Sequence, residues 1–199
     1  MPPPTLIAFA GSARKDSLNK KLAAAAAQLA RDAGAEVTEL DLADFPLPIF
    51  DEDTESAAGL PDNARTLKDL FRAHDGFLVC CPEYNSSITP LLKNTIDWLS
   101  RPCEGEPTLA CFRGKVAGVL AAAPGPLGGL RGLVHVRAIL SSIGVFVVPS
   151  QHALGRAGQA FAPDGSLADP EQADRVREVV AQTVRAAKNL REPAEALSE

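Results

Sequence analysis

The amino-acid sequence predicts an α/β fold: a doubly wound, five-stranded parallel sheet of order 2-1-3-4-5 with helices on both faces. Short apolar segments alternate with longer segments of helical periodicity along the chain, which is typical of parallel strands joined by right-handed crossovers. The apolar residues of segment 76–81 are continuous, which indicates a central strand covered on both faces. We choose this strand order because it brings the loops after strands one and three together, where the order reverses.

The strands are assigned to short apolar segments bounded by glycine, proline or polar residues. They are residues 5–10, 36–42, 76–81, 116–122 and 145–148. The segments between them are assigned by their composition. Residues 43–60 hold prolines and many acids and are predicted to be a long surface loop. The remaining connections are an irregular segment at 101–113, an extended excursion at 150–165 and a frayed polar tail from about 191.

The helices are assigned to segments with apolar residues at helical spacing. They are residues 18–33, 61–74, 90–100, 130–143 and 170–190. Capping residues set their ends. Pro61, Pro90 and Pro170 stand in first turns, where a missing N–H costs nothing. Gly34 and Gly144 stand where a C-cap glycine belongs.

Composition places the chain among ordinary globular proteins. It has 199 residues, of which 46% are hydrophobic and 23% charged, and a formal net charge of -5. This length predicts one domain over residues 1–199. The acidic balance offers no basic stripe, which argues against a nucleic-acid partner. No apolar run approaches the ~20 residues that span a bilayer, and no export signal is visible, so we expect a cytoplasmic protein without membrane contact.

The cysteines and histidines predict neither a disulfide framework nor a metal site. No CxxC pair and no Cys/His spacing typical of zinc occurs. Cys80 and Cys81 end the third strand, so core packing is the main interpretation, and a redox role of the Cys81 thiol is the alternative. Trp98 is expected to pack in the core or at a subunit interface. Lys93 and Asn94 are expected to hydrogen-bond the preceding loop or a neighbouring subunit.

The loop after the first strand has the donors that a phosphate requires. Ser12, Ser17 and Asn19 offer side-chain donors. Arg14 offers a charge-assisted pair, and the helix that starts at Leu18 offers free amides at the positive end of its dipole. GxGxxG and GxxxxGK[ST] are both absent, so this is neither of the two common phosphate loops. The alternative is that Ser17 only caps the helix and Arg14 is solvated.

A second polar loop follows the third strand. Pro82 fixes the chain as it leaves the strand. The backbone from Glu83 to Asn85 can then read the polar edge of a planar ring, and Tyr84 can flank that ring. A solvated Glu83 and a Tyr84 in a subunit contact are the alternatives. Because both loops follow strands that we expect to be neighbours, they predict a site for a flat, phosphorylated cofactor.

Three motifs carry a resemblance to a known family. They are GSxRxxSxN over residues 11–19, PEYNxS followed by LKNxIDW over 82–98, and PGxxGGxR over 124–131. The likeness covers about residues 5–150. In these motifs the chain resembles the NAD(P)H-dependent FMN reductase family, the flavodoxin-like quinone, azo-dye and chromate reductases.

The resemblance implies a flavodoxin-like fold and noncovalent FMN, with its phosphate in residues 11–19 and its isoalloxazine ring against 82–85. The loop around 125–129 would close the other edge of the ring. The implied cofactor-binding residues are Ser12, Arg14, Ser17, Leu18, Asn19, Pro82, Glu83, Tyr84, Asn85, Gly125, Gly128 and Gly129. Ala123 stands where many relatives have serine, which removes one hydrogen bond near the ring.

The resemblance also implies the chemistry. Hydride passes from NADPH or NADH to N5 of FMN and, in a second half-reaction, to a quinone, free flavin, azo compound or metal oxyanion. No side chain is expected to be an obligatory acid or base. The N–H groups of Gly128, Gly129 and the next helix start are expected to stabilise negative charge on the reduced ring. Homodimers or homotetramers are implied as well.

Two other functions remain open from the sequence. A flavodoxin-type electron carrier would bind the same cofactor and exchange single electrons with protein partners. One tyrosine and one tryptophan are few for the aromatic sandwich of such carriers. The third possibility is a flavin-binding partner protein without turnover.

Overall fold

The computed structural model describes residues 2–190, and the predicted polar tail from about 191 lies outside this range. All pairings between its strands are parallel. The strands are β1 Thr5–Ala10, β2 Glu36–Leu40, β3 Gly76–Cys80, β4 Val116–Ala122 and β5 Phe146–Leu154. The helices are α1 Leu18–Asp32, α2 Glu52–Ala58, α3 Asp62–Ala73, α4 Pro90–Leu99, α5 Leu130–Ser142 and α6 Pro170–Asn189. Short 3-10 turns occur at Leu42–Asp44 and Ala157–Gln159.

The sheet has the order β2-β1-β3-β4-β5, which confirms the predicted order. The direction of winding reverses between β1 and β3, so their carboxyl ends lie side by side, with Ala10 paired to Cys80. Gly76 opens β3 beside the first residue of β4. A Cβ at this position would lie 2.5 Å from the Val116 carbonyl oxygen, so only glycine fits here. The sheet therefore puts the loops after β1, β3 and β4 at one edge.

Both faces of the sheet are buried, as the continuous apolar run in β3 predicted. Along β3 the side chains alternate between two core layers. Phe77 faces the layer that contains α3, α4 and α5, where it stacks on Phe71 at 4.9 Å between ring centroids. Leu78 faces the layer that contains α1 and α6. Trp98 of α4 is fully buried in the first layer, which confirms core packing for this residue.

Two predicted connections are wrong in part. The segment 43–60 was expected to be a loop, but it contains α2 and a 3-10 turn. The Asp51 carboxylate caps α2 by accepting hydrogen bonds from Asp53 and Thr54, and acids in the first turn match the helix dipole. Strand β5 extends to Leu154 instead of ending at 148. Pro149 led to the prediction that the strand ends at 148, because proline is rare inside a strand. The strand accommodates it where the pairing register between β4 and β5 is irregular.

The segment before α2 is held against α4. Asn94 accepts a hydrogen bond from Phe50 N–H at 2.7 Å and donates to the Pro48 carbonyl at 2.8 Å, and Trp98 Nε1 donates to the same carbonyl at 2.8 Å. Lys93 pairs with Asp97 on the same helix. The side chain of Asn94 is therefore engaged by residues 48–50 and does not contact the loop after β3.

Within residues 2–190, no helix is both long and apolar enough to cross a bilayer. In the same range no cluster of His, Cys, Asp or Glu residues has the arrangement of a metal site.

Candidate functional site

The loop between β1 and α1 presents a set of unused donors. Ser12 and Ser17 are buried, and each hydroxyl oxygen accepts one backbone N–H, from Arg14 at 3.3 Å and from Lys20 at 3.4 Å. Neither hydroxyl donates to another residue in the range 2–190. The N–H groups of 17–19, at the start of α1, likewise have no described acceptor. The Arg14 guanidinium is exposed and forms no ion pair or hydrogen bond within residues 2–190, so the loop holds several donors of the kind that an anion requires.

Asn19 differs from the other predicted ligands in this loop. Its side-chain amide is buried, donates to the Ala122 carbonyl at 2.8 Å and accepts the Ala122 N–H at 2.9 Å. The side chain therefore ties α1 to the end of β4. The backbone N–H of Asn19 has no acceptor among residues 2–190, and donation from its side chain to a ligand stays a prediction.

The loop after β3 is a tight two-residue hairpin. Tyr84 and Ser87 exchange backbone hydrogen bonds of 2.9 and 3.0 Å. Between them Asn85 and Ser86 have φ values of 50° and 66°, so the turn uses two left-handed residues, neither of which is glycine. Pro82 is buried at the base of this loop, and Tyr84 is 51% exposed at its tip. The hairpin thus offers a rigid backbone and an accessible aromatic ring.

Glu83 joins this hairpin to α5. Its Oε2 accepts the N–H groups of Arg131 at 2.9 Å and Gly132 at 3.1 Å, and its Oε1 pairs with the Arg131 guanidinium at 2.6 Å. Burial raises the pKa of the carboxyl, but the hydrogen bonds from Gly132 and Arg131 and the guanidinium charge outweigh this effect, so its pKa lies below the ordinary value. Glu83 is therefore a fixed carboxylate and not a solvated one.

The loop between β4 and α5 packs on the end of β5. The Gly125 carbonyl accepts the N–H of Gly128 at 3.3 Å. Gly128 and Gly129 have positive φ, and a Cβ at Gly128 would lie 2.6 Å from the Ala153 carbonyl. Within residues 2–190, Gly129 N–H has no acceptor. The expectation of several free amides here is thus corrected, because the N–H of Gly128 donates to Gly125 and the N–H of Leu130 to Leu127. The next two N–H groups of α5 donate to Glu83.

One further side chain, that of Thr89, links the first two loops. Thr89 Oγ1 donates to the Gly11 carbonyl at 2.6 Å and accepts the Leu92 N–H at 3.2 Å, so it caps α4 and holds the first loop. Together with Asn19 and Glu83, it connects all three loops at one edge of the sheet.

Cys81 lies under this edge and is not a reactive thiol. It is fully buried, and burial, followed by the Glu83 charge, raises the pKa of its thiol to about 12. A thiol protonated at neutral pH is a poor nucleophile and a poor redox group. Core packing, which the sequence favoured, accounts for this residue.

A sequence profile described as NADPH-dependent FMN reductase matches residues 4–159 of this chain. The chain belongs to this family. An NAD(P)H-dependent FMN reductase of Pseudomonas aeruginosa is 34% identical over 183 residues, which cover 91% of each chain. A quinone reductase of Escherichia coli strain K12 is 34% identical over 155 residues, 75% of this chain and 76% of the relative.

Solved structures agree with the fold of this FMN reductase. FerB, a flavoenzyme NAD(P)H:(acceptor) oxidoreductase of Paracoccus denitrificans, superposes with a TM-score of 0.80 at 30% identity, over 94% of this chain and 98% of FerB. A flavodoxin from the domain Archaea superposes with a TM-score of 0.59 at 10% identity, over 92% of this chain and 99% of its own, which shows the shared fold alone. The reductase is thus a flavodoxin-like oxidoreductase with FMN as cofactor and NAD(P)H as hydride donor.

The donors of the reductase fit FMN. The unused N–H groups of 17–19 and the two buried serine hydroxyls suit a phosphate dianion, which needs several converging donors. Tyr84 and the hairpin backbone suit one flat, polar-edged ring. The spacing between these two regions is fixed by the hydrogen bond between Thr89 and Gly11.

Proposed function

We propose that this FMN reductase transfers hydride from NAD(P)H to small acceptors by a ping-pong mechanism. The acceptor class that we propose is quinones, with free flavin, azo compounds and metal oxyanions as further substrates. The observation that carries the proposal is the open tip of the site, where Tyr84 is half exposed beside a rigid hairpin. Such a surface admits flat molecules of different kinds in turn, and similarity to a quinone reductase supports the same acceptor class.

We assign the cofactor contacts as follows. Ser12, Arg14, Ser17 and the N–H groups that begin α1 at Leu18 bind the phosphate. Pro82, Glu83, Tyr84 and Asn85 form the wall against which the ring lies, and Gly125, Gly128 and Gly129 close its other edge. Asn19 contributes its N–H to the phosphate, while its side chain fixes β4.

Bound FMN supplies the hydride-transfer chemistry itself. The chain's residues position the cofactor and tune its surroundings. The Gly129 N–H, which has no acceptor in the described part of the chain, is free to donate to the cofactor. Glu83 holds the loop that carries Gly129 by pairing with the start of α5. We assign no side chain the role of acid or base, because Glu83 is held ionised by its partners and Cys81 is buried as a neutral thiol.

We propose that the protein is a homodimer or homotetramer. Support comes from an apolar stripe at the start of α5, where Leu127, Leu130 and Val134 are 53%, 45% and 59% exposed. Light scattering during gel filtration tests this, and a monomer at micromolar concentration contradicts it. Cytoplasmic location, the absence of nucleic-acid partners and a single domain over the whole chain stay predictions.

The decisive experiment is optical. The purified protein should carry the yellow flavin spectrum, NADPH added without oxygen should bleach it, and benzoquinone should then restore it. Restoration by quinone after the oxidised nucleotide has been removed supports the ping-pong order. A protein that binds FMN but is not bleached by either NADPH or NADH would contradict the proposal and favour a carrier or a partner protein without turnover.

A further inference from the structure

A second groove adjoins the cofactor loops on their β5 side. It has a volume of ≈590 Å³ and lies at the carboxyl end of β5. We call it the β5 groove and define it by Pro126, His152, Arg156, Gln159, Gln172 and Arg175. Pro126 belongs to the loop between β4 and α5, so the groove adjoins a loop that we assign to the cofactor site.

Arg156 is held in place at the mouth of this groove. Its N–H donates to the Gly125 carbonyl at 3.1 Å, and the next N–H, of Ala157, donates to the Ala123 carbonyl at 3.0 Å. The residue has φ of 52°, a left-handed conformation that an arginine adopts only when its surroundings impose it. The preceding Gly155 packs so closely on Pro126 that a Cβ would lie 2.4 Å from the proline oxygen.

Among the described residues, the β5 groove contains one exposed cation without an ion-pair partner. The Arg156 guanidinium is exposed and forms no ion pair or hydrogen bond with any residue in the range 2–190. Asp169 is engaged in capping α6, where it accepts the Glu171 N–H at 2.9 Å. The Glu171 carboxylate is paired with Arg175 at 2.7 Å. The Asp169 carboxylate keeps its negative charge in this role, so among the described lining residues Arg156 is the cation that remains without an ion-pair partner and is available to an anionic group.

Neutral hydrogen-bonding groups complete the groove. His152 is half-buried, and its Nε2 shares a hydrogen bond of 2.9 Å with the Gln172 side chain. Burial lowers the pKa of His152, so the ring is neutral at pH 7. Because its Nε2–H donates to Gln172 Oε1, its Nδ1 is an acceptor, which suits a nucleoside hydroxyl and not a phosphate oxygen. Gln159 also lines the groove and is exposed. A guanidinium among amide and imidazole groups is suited to a phosphate attached to a polar nucleoside.

The direction from the proposed ring site to the β5 groove suits an extended dinucleotide. Neighbouring strands lie about 4.8 Å apart, so the end of β5 is one strand spacing from β4 and two from β3. The nicotinamide must reach the ring beside the loops after β3 and β4, and its phosphates then extend past these loops. The β5 groove lies in that direction, away from the FMN phosphate loop after β1.

Resting on the proposed function, we propose that the β5 groove binds a phosphate group of the nicotinamide nucleotide donor, with Arg156 as its principal ligand. The 2′-phosphate of NADPH and the pyrophosphate shared by NADPH and NADH have the same chemistry for this purpose. Arg156 would then determine the affinity for the donor without taking part in hydride transfer.

The test is calorimetric titration of the FMN-loaded protein with 2′-AMP, which carries the 2′-phosphate, and with ADP, which carries the pyrophosphate. Arg156→Gln should weaken binding by about 10- to 100-fold, the loss of one charge-assisted contact. The matched control is Arg185→Gln, which removes an equally exposed charge about 15 Å further along α6 from Arg175. The control should bind both nucleotides as the parent protein does.

Each outcome has a defined meaning. A loss confined to 2′-AMP supports the proposal and assigns the 2′-phosphate, whereas a loss that includes ADP supports it and assigns the pyrophosphate. The proposal is overturned if the parent protein binds neither nucleotide, or if Arg156→Gln binds both unchanged. Because these measurements need no turnover, they are independent of the bleaching by NADPH. Bleaching with an unchanged KM for both donors in Arg156→Gln would overturn the groove assignment and leave the reductase function intact.

Discussion

Replacing Glu83 by glutamine should loosen the connection between the hairpin after β3 and the start of α5. In the parent protein one carboxylate oxygen serves two N–H groups of α5, and the other pairs with the Arg131 guanidinium. Glutamine has a single acceptor oxygen, so it can keep only one of these two contacts. Its NH2 group would then face either the helix amides or the guanidinium, both of which are donors.

The expected loss follows from the exposure of the partners. A negative charge at a helix N-terminus contributes about 0.3–1 kcal/mol. The Arg131 side chain is 58% exposed, so its ion pair contributes only about 0.2–1 kcal/mol. Glu83→Gln should therefore lower the free energy of unfolding of the FMN-free protein by about 0.5–2 kcal/mol. For a chain of this size that corresponds to a fall in Tm of about 1–8 °C.

Urea denaturation of the FMN-free protein measures this loss, with Arg131→Met as the matched control. The control removes the guanidinium pair and leaves the α5 amides bonded to the carboxylate, so it should cost less than Glu83→Gln. The difference between parent and Glu83→Gln should also depend on pH. Because the pKa of Glu83 is lower in the folded protein, its contribution is complete above the ordinary value of 4.5 and disappears as pH falls through the folded-state pKa.

Equal stability of parent and Glu83→Gln at pH 7 would refute this reasoning. So would a control that costs as much as Glu83→Gln, since the surface ion pair would then account for the whole effect. A difference that does not diminish at all as pH falls below 4.5 would show that a change other than the lost carboxylate charge destabilises the variant.

Three other substitutions test the site directly. Arg14→Ala should weaken FMN binding by roughly 1.5–3 kcal/mol, one charge-assisted hydrogen bond to phosphate, and an unchanged FMN dissociation constant would contradict the phosphate assignment. Tyr84→Ala should alter kcat or KM for quinones more than Tm, and loss of assembly with unchanged kinetics would place Tyr84 in a subunit contact instead. Gly128→Ala should destabilise the FMN-free protein by about 2–4 kcal/mol in urea, because φ is 62° and the new Cβ meets the Ala153 carbonyl. Gly165→Ala is its control, with φ of 87° and open space around the Cβ, and equal losses for the two would rule out the contact.

The fold was predictable where the residues of a single segment determine whether it is buried. The unbroken apolar run of β3 requires burial on both faces, and the alternation of strands and helices then favours a doubly wound sheet. The prediction of secondary structure failed where contacts with residues distant in the sequence stabilise the element. The acids and prolines of 43–60 are typical of loops, yet Asp51 caps α2 and Arg101 pairs with Glu55 at 2.8 Å to hold that helix. The sequence of 43–60 gives no indication of this partner, because Arg101 lies outside the segment.

The site was predictable in the type and order of its residues but not in their pairing. Serines, an arginine and a helix start after β1 indicate an anion site by their chemistry alone. The partners of Asn19 and Glu83 are 103 and 48 residues away along the chain, so no local pattern reveals them. A polar side chain near a loop offers the same donors to a ligand and to a neighbouring backbone. Only the folded arrangement decides which of the two receives them.

Residues that hold the loops together and residues that are free to bind a ligand should respond differently to substitution. Three polar side chains form hydrogen bonds with the backbone of neighbouring segments, namely those of Asn19, Glu83 and Thr89. Replacing any of them should lower the free energy of unfolding of the FMN-free protein. Arg14 and Tyr84 have no hydrogen-bonded side-chain partner in the described range, so removing them should leave the FMN-free protein as stable as the parent. Substitutions of Arg14 and Tyr84 should therefore change FMN affinity and turnover, whereas substitutions of Asn19, Glu83 and Thr89 should change the stability measured by urea denaturation. The hydrogen bonds of Asn19, Glu83 and Thr89 set the distance between the loops. Replacing one of these residues should weaken FMN binding only to the extent that it lowers the fraction of molecules whose loops are held at the binding distance.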